Sequence, residues 1–233
     1  MELSGRTVLV TGGSSGIGFA LARMLRDEGY GLTLVSRTAA KVEAAAAELG
    51  AVAVAADVSV EEDCDRALAA HTEAHGRLDV LVNSAGLGIA GRVEEMTAKQ
   101  WDLQFGVNLR GLFLLTRGAI PLLRETRGHI VNLASIAGTL PTPSLAGYGA
   151  TKAAVISLTR SLNAELEADG VRVLALCPAF VDTPMAAWAP VPAAEMIRPE
   201  DCAELVRAVL RLSPYARVPQ IVVERLGAGD LPG

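Results

Sequence analysis

Three side chains in the second half of the chain have the types and the spacing of an acid–base centre. Tyr148 and Lys152 lie four residues apart, so a helix would present the phenol and the ammonium on one face. A nearby ammonium favours the phenolate and lowers the tyrosine pKa from about 10, which would let Tyr148 exchange a proton at neutral pH. Ser135 ends a predicted strand ahead of that helix, and its hydroxyl would hold a carbonyl oxygen beside the tyrosine. Tyrosine and lysine at this spacing also occur on helices that only flank a core, so the pair gains its weight from a second motif upstream.

That second motif is a glycine-rich turn near the N-terminus. The sequence Thr-Gly-Gly-Ser-Ser-Gly-Ile-Gly, residues 11–18, follows an apolar strand and opens a helix. Glycine permits a tight turn and a close approach of the backbone to a ligand, and the free N–H groups of the helix N-terminus attract a pyrophosphate. The alternative is a glycine-rich turn that binds no ligand. The predicted nucleotide contacts of this turn are Gly12, Ser14, Ser15, Gly16, Ile17 and Gly18.

The end of the second predicted strand indicates which dinucleotide would bind. Folds that bind NAD usually place an acidic side chain there to bond the ribose 2′-hydroxyl. The residues here are Ser36 and Arg37, so no carboxylate is present, and a guanidinium can pair with a 2′-phosphate through two hydrogen bonds. We therefore expect NADP(H) to be preferred over NAD(H). The alternative is that Arg37 is a surface residue at the start of a helix.

These residues need a scaffold, and the hydropathy pattern predicts alternating strands and helices. Short strands that are apolar throughout, such as 8–10, 32–35 and 78–82, are typical of a parallel sheet covered on both faces. Helical segments separate the strands at intervals of about 30 residues, the spacing of βαβ units. The predicted fold is α/β, a Rossmann-like, doubly wound parallel sheet of about seven strands with helices on both faces. A single domain would span residues 1–233, with a substrate flap at about 183–197.

Two of the predicted helices contain residues of special shape or chemistry. The helix over 99–125 contains Pro121, which we expect to kink it or to begin a new turn. The helix over 60–75 carries His71 and His75 four residues apart, a spacing that can hold a metal ion. No third ligand is near in the sequence, so we expect an exposed helix face and no metal site.

Length, composition and charge exclude several classes of protein. A chain of 233 residues, of which 51% are hydrophobic, can bury a core without metals or disulfides. The net charge of −5 argues against binding to nucleic acid or to an anionic membrane, and no apolar run is long enough to span a bilayer. Three dispersed cysteines without a Cys-x-x-Cys pair favour a reducing compartment, and we expect a cytoplasmic protein.

In combination, the motifs resemble those of the short-chain dehydrogenase/reductase family, in its short, single-domain, NADP-preferring form. The resemblance covers roughly residues 5–225 and follows the order and spacing of the family motifs. It rests on the turn at 11–18, Asp57 after the third strand, Asn-Ser-Ala-Gly at 83–86 after the fourth, Asn108 in the long helix, and Ser135, Tyr148 and Lys152.

The resemblance implies an oxidoreductase with four catalytic residues. Tyr148 would give a proton to the substrate oxygen as hydride arrives from the nicotinamide, and Ser135 would orient that carbonyl. Lys152 would bond the nicotinamide ribose and lower the tyrosine pKa. Asn108 would hold a water molecule in a proton relay.

Further cofactor contacts are implied by the same resemblance. Asp57 and Val58 would flank the adenine, although a helix N-cap is an alternative for Asp57. Asn83 would line the cleft, although a strand-end turn is an alternative. The remaining implied contacts are Ala85 and Gly86 in the cleft and Pro178, Val181 and Thr183 on the nicotinamide side.

The flap indicates the substrate class. It is nearly uncharged and contains Met185 and Trp188, which favours a hydrophobic or small neutral carbonyl or alcohol. The alternative is a packed loop without a role in specificity. A reductase of 3-ketoacyl thioesters on an acidic acyl carrier protein would need basic residues at the positions of Thr126 and Asp169. Although arginines are close in sequence, Asp169 has the wrong sign, so we rank that activity second.

Two other classes of protein fit the sequence less well. A non-catalytic nucleotide sensor on this fold would usually lack the tyrosine or the lysine. An epimerase or dehydratase of the longer branch would need more sequence after Lys152 than is present.

Small residues on the helices over 99–125 and 148–168 favour close pairing in a homodimer or homotetramer. The alternative is that these faces pack within one subunit.

Overall fold

A parallel sheet of seven strands forms the centre of the computed structural model, which describes residues 5–227. The remaining residues of the predicted domain, 1–4 and 228–233, lie outside the described residues. All neighbouring strands pair in parallel, in the order β3-β2-β1-β4-β5-β6-β7. The strands are β1 (Thr7–Thr11), β2 (Gly31–Ser36), β3 (Val52–Ala55), β4 (Val80–Asn83), β5 (His129–Leu133), β6 (Arg172–Pro178) and β7 (Gln220–Val223). The predicted fold class is confirmed, and the order reverses between β1 and β4, where such folds bind ligands.

Helices cover both faces of this sheet, as the apolar strands require. One face packs against Leu21, Val42 and Val206, and the other packs against Leu68, Leu115 and Leu162. The first three residues belong to α1, α2 and α7, and the second three to α3, α5 and α6. The helices are α1 (Gly16–Asp27), α2 (Ala39–Leu49), α3 (Glu61–His75), α4 (Ala98–Phe105), α5 (Leu112–Thr126), α6 (Ala146–Glu165) and α7 (Pro199–Leu210).

The long helix predicted over 99–125 is present, but its interruption is not at Pro121. Helix α4 passes into a π-helical segment, Gly106–Gly111, which continues into α5. Pro121 lies inside α5, which continues past the missing N–H group. Segments of π-helix frequently occur at functional sites, and this one contains Asn108.

The expectation that His71 lies on an exposed helix face is wrong. Its side chain is fully buried between α3 and the sheet. Its Nε2 donates to the carbonyl of Arg77 at 2.9 Å, and its Nδ1 lies 2.8 Å from the hydroxyl of Thr33. Both nitrogens are therefore partnered in the neutral ring. Burial, with the neighbouring His75, lowers the pKa of His71 to about 4.

We expect acid to destabilise the protein through His71. The pKa is about 4 in the folded protein, whereas a histidine in an unfolded chain has a pKa of about 6.5. The unfolded chain therefore binds more protons between these pH values. The free energy of unfolding should fall by up to about 3 kcal/mol as the pH drops through this window.

Urea unfolding at several pH values measures this effect. His71→Gln should take up about one proton fewer on unfolding than the wild type below pH 6.5. His75→Gln, on the same helix, should keep most of the wild-type pH dependence, because burial is a larger cause of the His71 shift than the charge of His75. An unchanged pH dependence in His71→Gln would contradict the prediction.

The segment predicted as a substrate flap follows β6 at the carboxyl edge of the sheet. A parallel bridge between Val181 and Ile197 closes its base. Two short 3₁₀ turns lie within it, Pro184–Ala186 and Ala193–Glu195. Its main chain is thus anchored at both ends beside the cleft.

Residues 5–227 show neither a candidate membrane span nor a candidate metal site. None of the helices there has the length and hydropathy to cross a bilayer. The same residues contain no group of three or more His, Cys, Asp or Glu side chains suited to a metal ion. The three cysteines are free and buried.

Candidate active site

The predicted acid–base residues meet at the carboxyl end of β5. Ser135 follows this strand, and Tyr148 and Lys152 lie in the first half of α6. The Lys152 Nζ is 5.6 Å from the centre of the Tyr148 ring. The Ser135 hydroxyl interacts with the phenol and also accepts a hydrogen bond from the N–H of Ala137 at 3.2 Å. A phenol, a hydroxyl and an ammonium therefore face one small space.

Burial dominates the electrostatics of this space. It raises the pKa of Tyr148 above 10.0, against the lowering effect of the Ser135 hydroxyl. It also lowers the pKa of Lys152 to about 8. The Lys152 ammonium donates to the backbone carbonyl of Leu133 at 2.5 Å. The predicted lowering of the tyrosine pKa by Lys152 is therefore corrected: the net shift is upward, because a buried phenolate loses its hydration.

Asn108 joins two walls of the site. The π-helical segment turns its side chain inward, where it is buried. Its Oδ1 accepts from the N–H of Leu87 at 2.8 Å, and its Nδ2 donates to the Leu87 carbonyl at 2.8 Å and to the Thr151 hydroxyl at 3.1 Å. A Cβ on Gly86 would lie 3.4 Å from Asn108 Oδ1 and 3.6 Å from Lys152 Nζ. Asn108 thus holds the loop after β4 against α6, and its part in a proton relay stays a prediction.

The glycine turn leaves room only for backbone. Gly12 and Gly16 adopt left-handed conformations, with φ of 64° and 56°. A Cβ on Gly12 would come within 2.9 Å of the backbone of Ser84 and Ala85. A Cβ on Gly18 would come within 2.4 Å of the Gly12 carbonyl oxygen. The turn and the loop after β4 therefore approach each other without side chains between them, as a pyrophosphate cradle at the start of α1 requires.

The predicted NADP residues lie together at the ends of β1 and β2. The hydroxyl of Ser14 donates to that of Ser36 at 3.0 Å, which joins the glycine turn to the end of β2. Arg37 is exposed, and it takes part in none of the ion pairs formed within residues 5–227. Ser15 immediately precedes α1, and Ile17 packs against the core from its first turn.

Asp57 and Val58 follow β3 at the same edge of the sheet. One carboxylate oxygen of Asp57 accepts from the N–H and the hydroxyl of Ser59, at 2.9 and 2.7 Å. This bond shapes the turn ahead of α3 and leaves the second oxygen without a partner among the described side chains. Val58 is buried against the π-helical segment, where a Cβ on Gly111 would lie 2.9 Å from its side chain.

Hydrogen bonds direct the Asn83 side chain into the protein rather than into the cleft. Its Nδ2 donates to the Thr116 hydroxyl at 3.2 Å and to Asn132 Oδ1 at 2.9 Å. Asn132 in turn donates to the Thr159 hydroxyl at 2.9 Å. This buried network links β4 and β5 to α5 and α6 beneath the site. Asn83 thus supports the cleft, whereas the half-buried Ala85 and Gly86 continue along it.

The loop after β6 closes the other side of the cleft. The carbonyl of Pro178 lies 3.5 Å from the Ser135 hydroxyl, and Val181 is buried at the base of the flap. A Cβ on Gly16 would lie 3.0 Å from the methyl group of Thr183. The flap therefore begins in contact with the glycine turn.

Three residues that shape the site were not among those predicted from the sequence. Thr11 accepts hydrogen bonds from the N–H groups of Ser84 and Ala85, both at 3.1 Å, and so fixes the loop after β4. Thr151 receives the bond from Asn108 described above. A Cβ on Gly88 would lie 3.5 Å from the Tyr148 ring. Thr11 and Thr151 lie inside recognised motifs, which was an available signal, whereas nothing local marks Gly88.

Comparison with known proteins agrees with this geometry. The family profile described as short chain dehydrogenase matches residues 6–190. An uncharacterised oxidoreductase of Staphylococcus epidermidis is 35% identical over 221 residues, which cover 94% of this chain and 96% of the relative. One from Staphylococcus aureus is 33% identical over 225 residues, or 95% of this chain and 97% of the relative.

Solved structures agree as well. A 3-ketoacyl-(acyl-carrier-protein) reductase from Brucella melitensis, complexed with NADH, aligns with a TM-score of 0.89 and 34% identity, over 95% of this chain and 97% of that one. An alcohol dehydrogenase from the archaeon Thermococcus sibiricus, complexed with 5-hydroxy-NADP, gives 0.88 and 31%, with the same coverage. A levodione reductase gives 0.86 and 32%, over 95% and 96%. With a family profile over most of its length and relatives that match from end to end, this chain belongs to the short-chain dehydrogenase/reductase family of oxidoreductases.

Proposed function

We propose that the protein is an NADP(H)-dependent oxidoreductase acting on a small or hydrophobic carbonyl or alcohol. The observation that carries the proposal is the meeting of Ser135, Tyr148 and Lys152 beside the cleft that the glycine turn opens. When bound, the nicotinamide cofactor supplies hydride to a carbonyl carbon or removes it from an alcohol. The work of the chain's own residues is to hold the substrate oxygen and to move one proton.

Tyr148 is the proton donor for carbonyl reduction. Because its pKa is raised, it is protonated at neutral pH and presents an O–H to the substrate oxygen. The Ser135 hydroxyl donates a second hydrogen bond to the same oxygen. After the proton leaves, the Lys152 ammonium is the nearby cation that stabilises the phenolate. With a pKa of about 8, Lys152 is still mostly protonated at neutral pH.

The residues present fit a dinucleotide. The glycine turn forms a cradle in which a Cβ would collide with backbone, and it leads into the N-terminus of α1. The Asp57 oxygen that has no partner among the described side chains suits an adenine amino group. Exposed Arg37 and the hydroxyls of Ser14 and Ser36 suit a 2′-phosphate, which is the basis for preferring NADP(H).

Arg37→Gln should weaken NADPH binding and leave NADH binding unchanged. The substitution removes a charge-assisted pair with the 2′-phosphate, worth about 1.5 to 3 kcal/mol. The Kd for NADPH should therefore rise by roughly 10- to 100-fold. Fluorescence titration with both nucleotides measures the effect, and NADH, which lacks that phosphate, is the internal control. An equal loss for both nucleotides would contradict the assignment.

The flap supports an apolar substrate. Met185 and Trp188 are 46% and 56% exposed, and the rings of Phe180 and Trp188 meet edge to face at 6.1 Å. Large apolar side chains that stay accessible beside a catalytic centre favour contact with a hydrophobic group.

Reduction of 3-ketoacyl groups on an acyl carrier protein is the second candidate, favoured by the likeness to the Brucella melitensis reductase. Two contacts argue against docking of an acidic carrier. The Arg124 guanidinium is paired with Asp169 at 2.7 Å. The Thr126 hydroxyl is directed inward, to the carbonyl of Leu78 at 2.7 Å.

The proposal is tested by the loss of NADPH absorbance with ketones, aldehydes, diketones and ketoacyl thioesters. NADH in parallel tests the cofactor preference. Turnover of free carbonyls with NADPH is the expected result. Saturation only with a carrier-bound ketoacyl substrate would favour the second candidate. NADPH binding without any turnover would favour a nucleotide sensor.

We also propose a homodimer or homotetramer in the cytoplasm, formed through α5 and α6. Large apolar side chains are exposed along the α4–α5 stretch, including Trp101 at 42% and Phe113 at 46%. A monomer in light scattering at micromolar concentration would refute this assembly.

A further inference from the structure

We propose that a basic cluster at the amino-terminal edge of the sheet binds a small oxyanion, a phosphate or carboxylate group. The cluster consists of Arg6, Tyr30, His129 and Arg172, and it lies at the opposite edge of the sheet from the candidate active site. His129 begins β5 and Arg172 begins β6, and the two are register partners on these adjacent strands. The proposal is independent of the proposed function, because no residue is shared.

The side chains of this cluster emerge on one face of the sheet. Strand side chains alternate between faces, so residues two apart share a face. Arg6, His129 and Arg172 each lie two residues before a member of one core cluster, namely Val8, Val131 and Leu174. Tyr30 belongs to the same core cluster.

Within residues 5–227, three buried polar atoms of the cluster have no well-aligned hydrogen-bond partner. They are the Tyr30 hydroxyl, which faces the Arg6 guanidinium, the His129 Nε2 and the Arg172 Nε. The exposed fractions of Tyr30 and His129 are only 4% and 5%. More than nine in ten buried polar groups in native proteins are partnered. Three unpartnered polar atoms in one cluster therefore indicate a ligand that accepts a hydrogen bond from each of them.

Two carboxylates near the cluster, those of Asp79 and Glu28, are engaged by other groups. Asp79 is engaged by Arg77 at 2.6 Å and by the N–H of Thr7 at 2.9 Å. Glu28 is engaged by Arg211 at 2.6 Å and by Arg207 at 3.4 Å.

Within residues 5–227, Arg6 and Arg172 form no ion pair, and Arg172 has only the carbonyl of Ser213 at 3.2 Å. In the part of the chain that the structure describes, two guanidiniums thus lie together without a paired carboxylate, although the net charge of the chain is −5. This excess of positive charge is what an oxyanion would neutralise.

The charges of the cluster repel one another in the absence of an anion. Burial, Arg172 and Arg6 together lower the pKa of His129 to about 3. Burial and Arg6 also lower the pKa of Arg172. A bound oxyanion reverses the sign of the field at the imidazole, so it should raise the pKa of His129 and bind more tightly as the pH falls.

The test is an NMR titration of the histidine ring signals with inorganic phosphate, sulfate or acetate, at ionic strength held constant with sodium chloride. The His129 signal, assigned by its loss in His129→Gln, should shift and saturate with the preferred anion. The comparison of phosphate and sulfate with acetate distinguishes a phosphate ligand from a carboxylate ligand. Because the signal is local, phosphate at the glycine turn cannot mimic the result.

Two variants and a melting experiment complete the test. Arg172→Gln should abolish the shift, whereas Arg160→Gln, which removes an exposed arginine of α6, should retain it; Arg6→Gln replaces Arg172→Gln if that variant fails to fold. An anion at about five times its Kd should raise the Tm of the wild type by about 2 to 4 °C. The proposal is overturned if no anion shifts the His129 signal, or if Arg172→Gln and Arg160→Gln respond alike.

Discussion

Replacing Tyr148 with phenylalanine should lower kcat by about 10²- to 10⁴-fold and leave NADPH binding unchanged. The substitution removes the O–H that would transfer its proton to the substrate oxygen, and it keeps the ring. The ring lies close to Gly88 and under the Lys152 ammonium, so these contacts are retained. Initial rates on the best carbonyl of the panel, with NADPH affinity measured separately by fluorescence, give the two quantities.

Tyr215→Phe is the matched control for this experiment. It makes the same chemical change at a side chain that is 98% exposed, so it should behave as the wild type. A Tyr148→Phe variant that retains the wild-type kcat would disprove the assigned proton donor. Equal losses of kcat and NADPH affinity would instead indicate a structural role for the hydroxyl.

Gly12→Ala should weaken NADPH binding by about 10- to 100-fold. Alanine in the left-handed conformation costs about 1 to 2 kcal/mol, and the new Cβ would lie 2.9 Å from the backbone of Ser84 and Ala85. The turn must shift to relieve this contact, which moves the N–H groups that the pyrophosphate needs. A loss of about 1.4 kcal/mol corresponds to each factor of ten in Kd.

Gly50→Ala is the control that separates the two effects of Gly12→Ala. These effects are the cost of alanine in the left-handed conformation and the close contact of the new Cβ with the backbone. Gly50 has a φ of 65°, close to that of Gly12, but nothing lies within 4 Å of its Cβ position. This variant should lose about 1 kcal/mol of stability and keep its NADPH affinity. Similar affinities for Gly12→Ala and Gly50→Ala would show that the close approach of the turn to the loop after β4 is not needed for binding.

Much of the fold was predictable because its signals are local. The uniformly apolar strands and the glycine turn required only hydropathy and spacing, and the last strand, 220–223, matches its prediction. The tyrosine and lysine of α6 were predictable as one pair because helical geometry alone puts them on one face. The prediction failed where distant elements compete, as at Pro121, where α5 continues and the chain departs from α-helix at 106–111 instead.

The burial of individual side chains could not be predicted from local hydropathy and spacing. His71 and His75 differ by one helical turn, yet only packing against the sheet leaves His71 without exposure. Asn83 follows a strand just as Asp57 does, but Thr116 and Asn132, distant in sequence, draw its side chain inward. The tyrosine pKa moved upward rather than downward because desolvation depends on every element around the phenol.

By itself, the sequence determined the α/β class, the glycine turn, the acid–base trio and the family, since each depends on residue types at short spacing. Only the tertiary structure decided that Ser14 meets Ser36, that Asn108 holds the loop after β4 against α6, and that Arg6, His129 and Arg172 share one edge. These contacts join residues from different strands and helices. Their existence depends on sheet order and register, which emerge when the two apolar faces pack and which no local spacing encodes.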